Sequence, residues 1–185
     1  MLELFRSSLR DARVIRVGSY EYIIHPICDG VPPVKPELLE EVLNCMFKIT
    51  DLDCDLIVSP EAMALPLAAP LSLMSGIPYV VVRKRSYGLG GEVRIEQPTG
   101  YSSGVLYLNG VKRDDRVVVV DDVLSSGGTL RGIVNALREV GADIVDVVVA
   151  VDKGQCCEEL EAELGITIKS LVRVEVRDGH VLILD

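Results

Sequence analysis

The chain has 185 residues, of which 49% are hydrophobic and 25% are charged, and its formal net charge is -9. This length suffices for one well-filled core, and no long tract of Ser, Gly or Pro divides the sequence, so we expect a single domain. The negative net charge argues against a nucleic-acid-binding surface. No apolar run approaches the roughly 20 residues that a membrane-spanning helix needs. The five cysteines do not have the spacing of a zinc site.

The N-terminal segment, residues 1–13, alternates charged residues with Leu and Phe and lacks the apolar core of a signal peptide. We therefore expect an intracellular, cytoplasmic protein. The next segment, Arg13 to Pro36, carries clustered prolines and two tyrosines, which argue against a central strand. We expect it to pack as a flap over one end of the domain, with His25 as a packed residue hydrogen-bonded to backbone; a catalytic role is the alternative for this histidine.

From Pro36 onward, short Val- and Ile-rich runs alternate with longer amphipathic segments, which indicates an α/β fold. The short runs show little period-two alternation, as expected for parallel strands that are covered on both faces. The predicted strands are Asp55 to Ser59, Tyr79 to Arg83, Arg116 to Asp121 and Ile144 to Val151. The predicted helices are Pro36 to Ile49, Ala62 to Met74, Thr129 to Val140 and Gln155 to Leu164.

Residues 86–110 depart from this alternation because they are rich in Gly, Ser and Tyr. Two weakly alternating pieces, near Val93 to Glu96 and Val105 to Leu108, predict an excursion that is closed by a hairpin-like pair. An ordered loop of this length is usually functional.

An acidic pair, Asp121 and Asp122, ends the valine strand, and the small residues S-S-G-G-T follow before a helix begins. Free N–H groups at a helix start, glycines that permit close approach and three hydroxyls offer several donors to one phosphate. Adjacent carboxylates are costly to bury without a partner, and paired acceptors suit the vicinal hydroxyls of a sugar. A 5-phosphorylated ribose satisfies both requirements. The predicted phosphate-binding residues are Ser125, Ser126, Gly127, Gly128 and Thr129.

This stretch resembles the phosphoribosyl-pyrophosphate (PRPP) motif of type I phosphoribosyltransferases. The resemblance implies an α/β fold with a central, mostly parallel sheet flanked by helices, an N-terminal hood and a mobile catalytic loop. In one domain, 1–185, residues 1–36 would form the N-terminal helix and hood, and residues 37–185 the PRPP-binding core. The implied reaction joins a base to the anomeric carbon of PRPP and displaces pyrophosphate, with Asp121 and Asp122 as catalytic residues. Mg²⁺ would be carried by PRPP, with no dedicated protein site.

Two further segments resemble parts of the same family. V-S-P-E-A-M-A-L, residues 58–65, resembles the loop that receives pyrophosphate, although it lacks the Arg and Gly often found there. R-K-R, residues 83–85, resembles the basic segment of adenine and xanthine phosphoribosyltransferases. A plain helix start and a solvated basic tip are the alternatives for these two segments. The residues implied to bind pyrophosphate are Glu61, Ala62, Met63, Arg83 and Lys84.

The segment from Ser86 to Gly104 corresponds to the family's mobile catalytic loop. A loop carboxylate acts on the purine in adenine-type relatives, and either Glu92 or Glu96 could take that role; a solvated charge is the alternative for both. The hood sequence Y-E-Y-I-I-H-P-I-C-D-G-V-P, from Tyr20 to Pro32, resembles the archaeal hypoxanthine and guanine phosphoribosyltransferases. Apolar side chains are expected to cover the faces of the purine, as in small-molecule sites generally, and the candidates are Ile27, Val31 and Val123.

The resemblance thus implies a purine salvage enzyme, a homodimer, that makes IMP and GMP from PRPP and hypoxanthine or guanine. No nucleic acid or membrane is expected as a partner. Two alternatives remain open: transfer to adenine, xanthine or orotate, and a regulator that senses PRPP without transferring it.

Overall fold

A computed structural model describes residues 2–18, 20–98, 103–154 and 156–184. The helices are α1 (Glu3–Arg10), α2 (Pro26–Asp29), α3 (Pro36–Ile49), α4 (Leu65–Ser75), α5 (Gly128–Val140) and α6 (Cys157–Leu164). The strands are β1 (Arg13–Val17), β2 (Tyr20–Ile24), β3 (Leu56–Pro60), β4 (Tyr79–Val82), β5 (Val93–Pro98), β6 (Ser103–Leu108), β7 (Arg116–Leu124), β8 (Asp143–Asp152), β9 (Ile168–Arg177) and β10 (His180–Ile183). Within these ranges, no helix is both long and apolar enough to span a membrane.

The central sheet has the strand order β4-β3-β7-β8-β9-β10 across the described residues. Neighbouring strands from β4 to β9 are parallel, and β10 pairs antiparallel with β9 at one edge. The valines of β7 serve both faces: Val118 and Val120 pack with α1, α3 and α4, whereas Val117 and Val119 pack with α5 and α6. The predicted α/β class with a mostly parallel, doubly covered sheet is therefore confirmed.

Two boundaries differ from the sequence prediction near the predicted site. Helix α4 begins at Leu65 instead of Ala62, with Pro66 in its first turn, where proline's missing N–H costs nothing. Strand β7 continues past Asp121 to Leu124, because its pairing with β8 continues to Leu124 and Asp152. Both acidic residues therefore lie within the strand, and β9 is a parallel strand of the sheet in addition to the four predicted ones.

The predicted hairpin-like pair is confirmed, because β5 and β6 pair antiparallel from Val93 to Pro98. Reciprocal backbone hydrogen bonds of 2.9 and 2.7 Å between Arg83 and Tyr107 join this pair to the end of β4. It also packs on α5 at Gly132, where an added Cβ would lie 2.5 Å from Cγ2 of Ile95. Residues 99–102 of the predicted catalytic loop lie outside the described residues.

The N-terminal segment forms a small sheet of its own, in which β1 and β2 pair antiparallel. We refer to β1, β2 and α2 together as the hood. Helix α1 precedes it, burying Phe5 and Leu9 in the core. The start of α1 has no side-chain cap from its own N-cap residue, and the Glu41 carboxylate of α3 accepts the Leu4 and Phe5 N–H groups instead.

His25 fastens the hood to α1 and is fully buried. Its Nδ1 accepts the Ile27 N–H at 3.2 Å, so the ring proton of the neutral form lies on Nε2 and can be donated to Ser8 Oγ at 2.9 Å. The Ser8 hydroxyl in turn donates to the Phe5 carbonyl at 2.8 Å. Burial lowers the pKa of His25 to about 4. The histidine is thus a packed, backbone-bonded residue, as the sequence predicted.

This lowered pKa predicts a loss of stability in acid. The unfolded chain binds a proton at His25 more readily than the folded chain, so the stabilisation is complete above the unfolded pKa of about 6.5 and falls as the pH drops. We expect a loss on the order of 3 kcal/mol in the free energy of unfolding between pH 6.5 and 4, measured by urea denaturation.

The variant His25→Asn keeps an acceptor for the Ile27 N–H but does not titrate, so its free energy of unfolding should change less over the same pH range. His180→Asn is the control, because His180 is exposed at the start of β10. Equal pH dependence in the original protein and His25→Asn would contradict this prediction.

Candidate active site

The carboxyl ends of the parallel strands meet at one edge of the central sheet, the usual ligand position in open α/β sheets. A cleft of about 60 Å³ lies there between the hood and the ends of β7 and β8. Its lining residues come from α1, from the hood and from the core. They are Leu9, Tyr20, Tyr22, Ile23, His25, Cys28, Val123, Ser125, Val151 and Lys153.

The acidic pair is buried next to this cleft, with Asp121 and Asp122 each only 8% exposed. The Asp122 N–H donates to Asp121 Oδ1 at 2.9 Å. Burial raises the pKa of Asp121, and burial together with the charge of Asp121 raises that of Asp122 well above its usual value. Both charges also raise the pKa of the Cys28 thiol, which burial alone already raises, so the hood lies close to the pair. The two carboxylates thus lack the solvation that their charge requires.

The predicted phosphate-binding turn follows the pair and leads into α5. Gly127 has a φ of 74° and is buried, and an added Cβ would lie 2.9 Å from Leu160 Cδ2 of α6. A side chain there would be strained by its backbone and obstructed by α6, which explains the glycine. The Ser125 carbonyl accepts a hydrogen bond from Cys156 Sγ at 2.8 Å, so α6 also positions the start of the turn.

The structure brings Glu61 and Arg83 together at the ends of β3 and β4. Glu61 Oε2 lies 2.8 Å from Arg83 Nε, and Oε1 accepts the Lys84 N–H at 2.7 Å. The Glu61 N–H donates to the Val82 carbonyl at 3.0 Å, so this amide of the loop implied to bind pyrophosphate already has an acceptor within the protein. The peptide bond between Glu61 and Ala62 is cis.

The two candidate loop carboxylates differ sharply in their surroundings. Glu92 accepts hydrogen bonds from the Ser86 hydroxyl, the Tyr87 N–H at 2.9 Å and Asn109 Nδ2 at 2.9 Å. These donors, the Ser86 hydroxyl foremost, lower the pKa of Glu92 to about 2. Glu96 is exposed on β5 and forms an ion pair with Arg94 at 2.8 Å. Glu92 therefore acts as an ionised clamp that holds residues 86–88.

Of the predicted purine-binding residues, Val123 lines the cleft. The other two do not line it. Ile27 is 2% exposed and lies in the core, and Val31, two residues after the end of α2, is 59% exposed. The sequence analysis missed Tyr20 and Lys153, which line the cleft. Two features of the sequence could have indicated them: the tyrosines of the hood segment, and a lysine that directly follows a buried strand.

Tyr20, Ser125 and Lys153 form a junction between the hood and the core. The Tyr20 hydroxyl oxygen lies 2.5 Å from Ser125 Oγ and 2.5 Å from Lys153 Nζ, which also lies 4.4 Å from the centre of the Tyr20 ring. Lys153 Nζ further donates to the Glu21 carbonyl at 3.3 Å. The hood is thereby attached directly to the predicted phosphate-binding turn.

No group of three or more His, Cys, Asp or Glu side chains is arranged to hold a metal ion among the described residues. The acidic pair supplies two carboxylates with uncompensated charge, which fits a divalent cation that takes most of its ligands from a substrate and from water.

Residues 37–178 match the family of the phosphoribosyl transferase domain. The chain is 50% identical over 184 residues to a hypoxanthine/guanine phosphoribosyltransferase of Methanocella paludicola, in an alignment that covers 100% of this chain and 96% of that protein. It is 49% identical over 185 residues to a protein of the same name from Methanococcus maripaludis, with 100% of both chains covered.

Solved structures with a similar fold include the adenine phosphoribosyltransferase of Thermoanaerobacter pseudethanolicus, with a TM-score of 0.76 and 23% identity over 94% of this chain and 99% of that one. The adenine phosphoribosyl transferase of Trypanosoma brucei was solved in complex with AMP, pyrophosphate and ribose-5-phosphate. Its TM-score is 0.75 and its sequence identity 17%, in an alignment that covers 92% of this chain and 80% of that one. At these identities the likeness establishes a common fold.

The buried acidic pair predicts that removing one charge stabilises the protein without ligands. A carboxyl group with a raised pKa in the folded state destabilises that state when ionised, and this effect disappears as the pH falls toward the unfolded value. At pH 7.5, Asp122→Asn should raise the Tm by about 2 °C or more, since roughly 2–4 °C corresponds to 1 kcal/mol at this chain length. The gain should shrink in acid.

Asp146→Asn is the matched control, measured by the same thermal scan. Asp146 is also buried, but its Oδ2 lies 2.6 Å from Lys169 Nζ, so the same substitution removes a compensated charge and should lower the Tm. A fall in Tm for both variants would show that Asp122 is a stabilising residue and contradict the prediction.

Proposed function

This chain belongs to the phosphoribosyltransferase family, and we propose that it is a purine salvage enzyme that transfers the 5-phosphoribosyl group of PRPP to hypoxanthine and guanine. The products are IMP or GMP and pyrophosphate. One observation carries the proposal: a buried acidic pair and a glycine turn follow each other at the end of β7, next to a cleft under the hood. The sequence identity of 49–50% to hypoxanthine/guanine phosphoribosyltransferases, over the full length of this chain, supports the choice of bases.

The proposed reaction breaks the bond between the anomeric carbon and pyrophosphate and forms one to a purine nitrogen, which loses its proton. The turn from Ser125 to Thr129 binds the 5-phosphate through hydroxyls and the amides at the start of α5, and thereby positions the reacting carbon. Asp121 and Asp122 accept hydrogen bonds from the ribose hydroxyls. Their charges stabilise the positive character that develops at the anomeric carbon.

The base would occupy the cleft between the hood and Val123, with Lys153 reading its 6-oxo group. An ammonium group has three N–H donors, and the described residues account for two, at Tyr20 and Glu21. The third can donate to a carbonyl oxygen, whereas the amino group of adenine offers a donor in the same place. This arrangement favours 6-oxopurines. The residues proposed to contact the base thus become Val123, Lys153, Tyr20 and Tyr22, in place of Ile27 and Val31.

Pyrophosphate would lie at the ends of β3 and β4, near Arg83, Lys84 and the amides of Ala62 and Met63. Glu61 holds Arg83 and the Lys84 backbone in place, so we propose it as a support of this site. Mg²⁺ bound to PRPP would neutralise charge on the departing pyrophosphate. The acidic pair is the group of this chain that would approach such an ion.

For proton transfer, the surroundings favour Glu96 over Glu92. Glu92 uses its oxygens to hold residues 86–88, and its pKa of about 2 makes it a poor acceptor of a proton near neutral pH. Glu96 is exposed and pairs with Arg94 at the surface, so its carboxylate can rearrange toward a purine.

We further propose a cytoplasmic homodimer. Cys28, Cys45, Cys54, Cys156 and Cys157 are all free thiols, which suits a reducing compartment. Apolar side chains are exposed along α4 and the edge strand β4, with Leu73 at 87%, Met74 at 43% and Tyr79 at 41%. A second copy could cover this surface.

The function is tested by incubating the protein with PRPP, Mg²⁺ and one base at a time, followed by chromatography of the nucleotides. We expect IMP from hypoxanthine and GMP from guanine, with little AMP, XMP or orotidine monophosphate. AMP as the main product would overturn the base assignment. Binding of PRPP without any nucleotide product would indicate a regulator instead of an enzyme.

Lys153→Met should raise the KM for hypoxanthine and guanine by about 10-fold or more, because a charge-assisted hydrogen bond to the base is lost. Steady-state kinetics with saturating PRPP measure this effect. Lys112→Met is the control, since Lys112 is exposed in the segment that precedes the amino end of β7. Unchanged KM values in Lys153→Met would remove the lysine from base recognition.

A further inference from the structure

Tyr20 lies between two groups that, in the proposed function, would hold opposite ends of a nucleotide. Ser125 starts the phosphate turn and Lys153 lines the base cleft, and the Tyr20 oxygen is 2.5 Å from the hydroxyl of one and 2.5 Å from the ammonium of the other. Tyr20 comes from the hood, 105 and 133 positions away from them in sequence. The hydroxyl therefore connects three separate parts of the site.

The chemistry of the three groups gives the contacts a direction. An ammonium group can only donate, so the Tyr20 oxygen accepts from Lys153. The Tyr20 proton can then be donated to Ser125 Oγ, which leaves the Ser125 proton available for a phosphate oxygen. A bound phosphate would draw the Ser125 proton toward itself, make Oγ a better acceptor and strengthen its bond to Tyr20.

We propose that Tyr20 is a positioning residue that couples phosphate binding at Ser125 to attachment of the hood and to placement of Lys153 in the base cleft. This inference rests on the proposed function. Because coupling between two sites is reciprocal, phosphate binding tightens the hood, and an attached hood tightens phosphate binding. The 5-phosphate thus prepares the cleft for the base, although the phosphate and the base do not touch each other.

The test measures the dissociation constant of IMP by calorimetry for the original protein, Tyr20→Phe, Ser125→Ala and the double variant. Tyr20→Phe keeps the ring and removes the hydroxyl, and we expect it to weaken IMP binding about 3- to 10-fold. In the Ser125→Ala background the same substitution should have a smaller effect, because the contribution that passes through Ser125 is already absent and only the contact with Lys153 is lost. Tyr79→Phe is the matched control, since Tyr79 lies at the amino end of β4.

A second measurement follows hydrogen exchange of the β2 amides. Saturating IMP should slow exchange of β2 in the original protein and in Tyr79→Phe, and much less in Tyr20→Phe. If Tyr20 had a purely structural role, Tyr20→Phe would weaken IMP binding by the same factor in the original protein and in Ser125→Ala. Equal losses, or an unchanged dissociation constant in Tyr20→Phe, would overturn the inference, whereas failure of the original protein to bind IMP would overturn the proposed function itself.

Discussion

Burial of two adjacent carboxylates is the constraint on which the arrangement of the site depends. Water solvates an ionised carboxylate better than this protein interior does, so the ligand-free chain holds Asp121 and Asp122 at raised pKa values. In the proposed reaction, the compensation arrives with the substrate, as sugar hydroxyls and as positive charge at the reacting carbon. The hood keeps water away from the two carboxylates, which makes their ionised forms less stable. In the proposed reaction, the same exclusion of water strengthens their attraction to the positive charge at the reacting carbon.

Local sequence was sufficient where neighbouring residues determine conformation. The valine run, the acidic pair and the glycine turn are consecutive, so their order along the chain already predicted a strand, a site and a helix. Helix α3 begins at Pro36 and ends at Ile49, as its periodicity indicated. The start of α4 was placed three residues early, because the segment from Glu61 to Ala64 has helix-compatible residues but is held in a turn by contacts with β4.

Other parts of the site depend on contacts that sequence spacing does not reveal. Lys153 approaches Tyr20 only because β8 ends under the hood. Glu92 and Glu96 look alike in the sequence, and the donors around Glu92 are what distinguish them. The hood sequence likewise does not reveal that Ile27 lies in the core and Val31 in solvent.

The attachment of the β5–β6 hairpin has a consequence for how this protein can diverge. The hairpin is rooted at Arg83 beside one half of the candidate site and at Gly132 on the helix that begins at the other half. The described strands of the hairpin are therefore held at two points. Over evolutionary time, a side chain larger than hydrogen at position 132 would collide with Ile95, so it could be accepted only if the hairpin or α5 shifted.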